Sequence, residues 1–331
     1  MNRGRLLTIL GPFLGLLFVY GFFASLDAVG QGSFERFGTL FTAGNLKTVA
    51  AQTTIVAVAA LGMTVVILSA GIDLSPGSSI ALVTVVVALT VQRLAPSPFL
   101  AALAATGAGV LVGALVGFIN GLAVTTLRIV PFIVTLGMMG VARGVAKYLA
   151  GNTTVQNVPE TWLSGLLAID RRPDAPLWKL PVGVWVLLIL AAGLFAVLRW
   201  SVFGRHVFAI GSNESAARLC GIAVARTKVL IYALAGAFTG VAGVLQFSRL
   251  AIGDPTAAAG LELNIIASVV IGGASLSGGK GGVPGTILGA LIMGVLKNGC
   301  DIYGIPNYVQ DIFIGLIIIV AVGLDQLRQR R

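Results

Sequence analysis

The sequence predicts an all-α protein, a polytopic membrane helix bundle of about ten transmembrane helices with broken or re-entrant segments. Three observations predict it. Hydrophobic residues fill 57% of the 331 positions and charged residues only 10%, far below the roughly 25% of a soluble domain. Mean hydropathy is +0.98. Apolar runs of about 20 residues, each able to cross a hydrocarbon core of about 30 Å, recur from end to end and leave no sizeable soluble part. One membrane domain over residues 1–331 is expected.

The first run, Leu6 to Ala24, follows Arg3 and Arg5 as a signal peptide would. Gly21-Phe22-Phe23-Ala24-Ser25 is a poor cleavage site, so an uncleaved anchor is expected. Thr48 to Ala70 is the second span and ends in Gly71-Ile72-Asp73-Leu74-Ser75-Pro76-Gly77-Ser78. Pro76 cannot continue that helix, and Ser75 or Ser78 can cap the one that restarts toward Val91. Phe99 to Thr125 and Ile129 to Ala150 follow, separated by a short break carrying Arg128. The loop from Gly151 to Lys179 balances acidic against basic residues, and its Trp162 and Trp178 suit a membrane interface. Pro181 to Trp200 is the sixth span and Val229 to Gln246 the seventh. Leu261 to Ile271 is shorter and runs into Gly272 to Gly282, where no straight helix survives the glycine density. Val283 to Asn298 and Ile312 to Leu324 complete the set. The Asp73 and glycine segments have similar neighbours, a weak sign of an internal repeat.

Between the sixth and seventh spans, residues 203–228 form a basic interruption. Asn213 or Ser212 can cap a short helix there, with Glu214 in its positive first turn and Gly221 as a left-handed stop. That gives about two turns, or about 12 Å. Ala216, Leu219 and Cys220 fall on one face, with Glu214 and Arg218 elsewhere. Such a knob suits another protein's groove. Arg199, Arg205, Arg218, Arg226 and Lys228 stand here against Glu214 alone. Arg3 and Arg5 open the chain, and Arg328, Arg330 and Arg331 close it. An even span count then puts both termini and this segment in the cytoplasm by the positive-inside rule.

The net charge of +10 is dispersed among short loops with no basic, aromatic-interleaved face, so nucleic acid is not an expected partner. Ala274 to Lys280 fails as a nucleotide loop, because Ala274 replaces the first glycine and Gly281 the required Ser or Thr. His206 is the only histidine, and Cys220 and Cys300 form no metal pair. No catalytic residues, metal or cofactor are expected. Asp73, Arg143, Lys147, Glu262 and Lys297 are the charges nearest membrane depth, where charge needs a use or a partner. Asp73 and Glu262 fit helix caps, or bends that line a path. Asn120, Asn264 and Asn298 fit interhelical hydrogen bonds. A hydroxyl-rich solute would also pass along such amides together with Gln52, Thr53, Ser69 and Gln246. Gly113, Gly117, Gly236, Gly240 and Gly243 mark close-packing surfaces.

Several motifs together carry a resemblance over nearly the whole chain. They are Leu61-Gly62-Met63-Thr64 leading to Gly71 through Ser78, Asn120-Gly121 with Pro131 through Gly137, Gly211-Ser212-Asn213-Glu214 through Ala216-Ala217 to Gly221-Ile222, Glu262-Leu263 with Ile271-Gly272-Gly273, and Gly285-Thr286. With them the chain resembles the permease subunits of bacterial ABC importers for monosaccharides, the ribose, xylose, arabinose and galactose type. Pro76 departs from the family's frequent Val, and the loop with Arg171 and Arg172 is individual. The resemblance implies a homodimer or paired permease, cytoplasmic ABC ATPase subunits that hydrolyse the ATP, and a periplasmic or lipid-anchored solute-binding protein. It also implies that Ser212 to Ile222 is the ATPase-coupling helix, where a bulky charged residue at Ala217 is expected to abolish uptake while leaving membrane insertion intact. Alternatives are the same machine for a nucleoside, autoinducer or branched-chain amino acid, a stand-alone secondary carrier, and a scaffold without transport.

Overall fold

A computed structural model describes residues 15–17, 19–27, 35–94, 97–169 and 179–329. The start of the first apolar run with Arg3 and Arg5, the loop residues Arg171, Arg172 and Trp178, and the terminal Arg330 and Arg331 lie outside the described residues. The chain folds as helices α1 (Gly15–Asp27), α2 (Glu35–Leu40), α3 (Ala43–Leu68), α4 (Pro76–Arg93), α5 (Pro98–Thr126), α6 (Pro131–Leu149), α7 (Val182–Trp200), α8 (Val202–Ser212), α9 (Glu214–Leu219), α10 (Val224–Leu250), α11 (Leu261–Ile271), α12 (Val283–Ile302) and α13 (Asn307–Gln329). A 3-10 turn spans Trp162–Gly165. Among the described residues, β-pairing is confined to one bridge between Val155 and Gly253.

Local chemistry explains the boundaries. Pro76, Pro98, Pro131 and Pro284 stand in the first turns of α4, α5, α6 and α12, where a missing N–H costs nothing. Thr42 caps α3 by accepting from the Asn45 amide at 3.3 Å, and Ser201 caps α8 by accepting from the Gly204 amide at 3.0 Å.

Seven helices among the described residues, α3 to α7, α10 and α12, are long and apolar enough to cross a membrane. The apolar helices α1 and α11 are shorter. Eleven residues of α11 cover about 16 Å at 1.5 Å per residue, half of a hydrocarbon core. The Leu261 to Ile271 segment is therefore a half-helix rather than a full span. α3 lies at the centre, with 89% of its apolar window buried, against 17% for α6. Leu111 and Leu115 on α5, Ile133 and Val141 on α6, and Ile189 on α7 are exposed. Outward apolar surface of this extent suits lipid or a partner's membrane helix.

α5 and α10 meet backbone to backbone. A Cβ on Gly113 would stand 2.6 Å from the Gly240 Cα, and one on Gly121 would stand 2.8 Å from the Val229 Cα. Gly243 instead meets Val83 of α4. Small residues permit this approach where apolar burial gives no drive between helices in lipid. Elsewhere polar pairs join the helices: the Thr64 and Thr286 hydroxyls are 2.6 Å apart between α3 and α12. The Asn45 amide donates to the Asn298 side-chain oxygen at 2.9 Å.

Candidate functional site

The basic interruption is not a loop. Residues 202–212 form α8, whose Gly204, Val207, Ile210 and Gly211 are buried on one face. α10 starts at Val224 rather than Val229, because Ala225, Arg226 and Lys228 favour a helix although two of them are charged. Between the two stands the knob, α9. Asn213 is its cap, the side-chain oxygen accepting from the Ala216 amide at 2.9 Å. Gly221 at φ 82 ends it, while the Gly221 and Ile222 amides each donate at 3.1 Å, to the Arg218 and Ala217 carbonyls.

Ala216, Leu219 and Cys220 face outward, and Leu219 is 90% exposed. Ala217 does not. It is buried against Ile210 and Val224, so a bulky charge there would unseat the knob itself, a correction to its expected role. Glu214 joins the knob to α10. Its carboxylate accepts from the Lys228 ammonium at 2.6 Å and from Arg218 at 3.1 Å. The Lys228 hydrogen bond first, then the Lys228 and Arg218 charges, hold its pKa below the ordinary 4.5.

A depressed carboxylate pKa adds stability that is present above the unfolded value and lost as pH falls through the folded one. The pairs are part-exposed, so the effect is small. Glu214→Gln is expected to speed amide exchange in segment 213–222 by about two- to five-fold at neutral pH, as for an exposed ion pair. The ratio to wild type should converge on one as pH falls through the Glu214 titration. An unchanged ratio at neutral pH would show that the pairs do not hold α9.

At the base of the knob three backbones converge. The Gly279 amide donates to the Leu68 carbonyl at 2.9 Å. A Cβ on Gly211 would overlap that same carbonyl and stand 2.7 Å from the Gly279 nitrogen. Gly278 and Gly279, at φ 85 and 70, make a turn that a side chain would strain. The end of α8, the end of α3 and the glycine turn after α11 are therefore in direct contact.

Ser69, Asp73 and Asn120 surround the break between α3 and α4. The Asp73 carboxylate does not cap α4; it accepts from the Ser75 amide and hydroxyl at 2.8 and 2.7 Å. Ser75 in turn accepts from the Asn120 amide at 3.0 Å. Ser69 donates to the Val66 carbonyl at 2.8 Å. Glu262 is no cap either, because Gly260 at φ 80 precedes α11. Its carboxylate packs on Gly77, with one oxygen buried and unpartnered. Arg143 of α6 donates to the Pro255 and Ala257 carbonyls at 3.0 and 2.9 Å. That bond satisfies part of the non-helical stretch before α11.

Gln52, Thr53, Gln246 and Asn264 come together around one small cavity of about 50 Å³ between α3, α10, α11, α12 and α13. Arg249, Lys297 and Gln310 also line it. The side-chain oxygens of Gln52 and Thr53 are buried without a hydrogen-bond partner, and such groups call for a bound species or water. Asn298 is engaged with Asn45 instead. The sequence does not single out Arg249 and Gln310; Leu219 is legible in it as part of the knob's face, and Lys297 only as a charge near membrane depth.

An all-helical bundle with an outward apolar belt, a knob beyond it and a cavity within that carries unpartnered polar side chains defines a multi-pass membrane protein of transport type. Residues 45–322 match a family model described as branched-chain amino acid transport system / permease component. The chain belongs to this family of permease components and is a multi-pass protein of the cytoplasmic membrane. It is 39% identical over 291 residues to the ribose import permease protein RbsC of Escherichia coli (strain K12), covering 87% of this chain and 88% of that one. It is 37% identical to RbsC of Bacillus subtilis (strain 168), covering 96% and 92%. It is 35% identical to the fructose import permease protein FrcC of Rhizobium meliloti, covering 87% and 79%. These relatives bear out the resemblance read from the motifs. No solved structure gives a significant match.

Proposed function

We propose that this chain is the membrane-spanning subunit of an ATP-driven ABC importer that carries a monosaccharide, and that separate ATPase subunits drive it through α9. The outward apolar face of α9 carries this reading, because an exposed Leu219 beside Ala216 and Cys220 is a surface that wants a groove. Closure of the ATPases moves the knob, and the contact of Gly211 with Leu68 and Gly279 passes that motion to α3 and to the turn after α11. Those elements supply Gln52, Thr53 and Asn264 to the cavity walls. The knob then changes the shape of the site without any chemistry in this chain. Of the nine candidate path residues, Gln52, Thr53, Gln246 and Asn264 act on the solute, while Ser69, Asp73, Asn120, Glu262 and Asn298 shape the helix breaks and contacts around it. Ser212, Asn213, Glu214, Ala217, Arg218 and Gly221 build and seat the knob.

The importer works as a pair of such permeases with a solute-binding protein on the far side. Both termini lie on the side of the knob in this reading, because the arginines near each end match the basic residues around α9. The family model's description favours a second reading, a branched-chain amino acid. What favours a sugar is the cavity's amides and hydroxyl, which suit a polyol, while among the described residues no carboxylate lines it to meet an α-ammonium group.

The test is reconstitution in vesicles with the ATPase and binding protein encoded beside it, offering labelled ribose, arabinose, fructose and leucine. ATP-dependent accumulation of one sugar is expected, and none without the ATPase. Gln52→Leu is expected to cut uptake by roughly ten-fold, the value of a buried hydrogen bond, with ATPase binding intact. Uptake without any ATPase, or of leucine alone, would overturn the proposal.

A further inference from the structure

Beside the knob, a groove of about 820 Å³ runs between the α5–α6 turn and the start of α10. One wall is apolar, formed by Ile129, Val130 and Pro131; the other is basic, formed by Arg226 and Lys228, with Arg128 between them. Among the described residues Glu214 is the one carboxylate lining it, and it is already engaged by Lys228 and Arg218. Arg128 and Arg226 are exposed and carry no hydrogen bond or ion pair among the described residues. The apolar wall continues onto surface that belongs in hydrocarbon. Leu127 is 64% and Val130 61% exposed, next to the lipid-facing sides of α5 and α6. Thus the groove presents unmatched positive charge at the level where apolar surface gives way to polar.

We propose that this groove binds an anionic phospholipid, with its phosphate between Arg128 and Arg226 and its acyl chains along the Ile129–Pro131 wall. A guanidinium pair matches a phosphate by charge and geometry. An acidic protein segment would meet the same charge, but it would leave the exposed Leu127 and Val130 uncovered. A lipid satisfies both walls at once. Bound there it also lies against Arg218 and Lys228, so the composition of the leaflet is felt at the knob.

The experiment uses the full chain in detergent, titrated with fluorescent phosphatidylglycerol and, in parallel, with phosphatidylcholine of the same acyl chains. Tighter binding of phosphatidylglycerol is expected. Arg128→Asn with Arg226→Gln should weaken it by about five-fold per arginine removed, from about 1 kcal/mol for each basic residue at an anionic surface. Asparagine is chosen because position 128 stands at φ 55, which asparagine tolerates. Phosphatidylcholine binding should not change, and the equal charge change Arg199→Gln with Arg205→Gln should leave phosphatidylglycerol binding as in wild type. If the double variant is not monodisperse, Arg226→Gln alone, at an exposed helical position, should show the single five-fold loss. Equal affinity for the two lipids, or displacement of phosphatidylglycerol by millimolar inorganic phosphate, would overturn the proposal. So would a double variant that keeps its lipid preference but loses the ATPase, which would mark the groove as a protein-docking surface.

Discussion

Leu219→Glu is expected to abolish ATP-driven uptake while the chain stays folded in the membrane. Leu219 is 90% exposed, so its replacement removes no packing, and surface changes of this kind usually stay within about 0.5 kcal/mol. In a partner's groove the balance differs. Burying a leucine contributes about 1.5–3 kcal/mol, and forcing a carboxylate into an apolar groove adds a desolvation cost of at least a similar size. Together these correspond to a loss of at least about a hundred-fold in affinity for the ATPase subunits. Co-purification of the ATPase with a tagged chain measures that loss, and size-exclusion chromatography checks the fold. Ala217→Glu should also stop uptake, but by another route. Ala217 fills the space between Ile210 and Val224, so its variant should lose exchange protection across 213–222 as well. Normal uptake with Leu219→Glu would remove the knob from the mechanism.

The contrast between these two neighbours marks how far the sequence reaches. Pro76, Asn213 and Gly221 act within a turn or two of where they stand. The break after α3 and both ends of α9 are therefore legible from residue order alone. The direction of α9 is not. Six residues define a face only loosely, and what turns Ala217 inward is contact with Ile210 and Val224 on neighbouring helices. The start of α10 was misplaced because an apolar window begins late, at Val229, while helix propensity begins at Val224. Four of the nine path candidates meet in one cavity for a reason no spacing displays: α3 brings Gln52 and Thr53 beside Gln246 of α10 and Asn264 of α11. Asn120 and Asn298, of the same residue type, found side-chain partners in Ser75 and Asn45. Residue type marked the candidates, and tertiary contact divided them into solute-facing and structural groups.

The second large effect belongs to the seam that gives the knob something rigid to pull. Gly117→Val is expected to deplete folded chain from the membrane. A Cβ there would overlap the Tyr232 carbonyl and stand 2.9 Å from the Gly236 Cα. Both are backbone atoms of α10, which no rotamer change can move aside. Relief requires α5 and α10 to separate along a line that also includes Gly113, Gly236 and Gly240. Overpacking of side chains typically costs about 1–3 kcal/mol. Against backbone the cost should reach at least the upper end, a large part of a total stability of about 5–15 kcal/mol. Gly144→Val on α6, where a Cβ meets nothing within 4 Å, is the matched control and should cost under about 1 kcal/mol. Thermal unfolding of the two variants in detergent separates steric overlap from helix propensity; equal midpoints would mean that the seam is looser than the structure has it. The same α10 holds Glu214 through Lys228 at its first turn. A seam that yields at Gly117 would therefore let the knob swing without carrying α5, and uptake should fall further than the amount of folded chain.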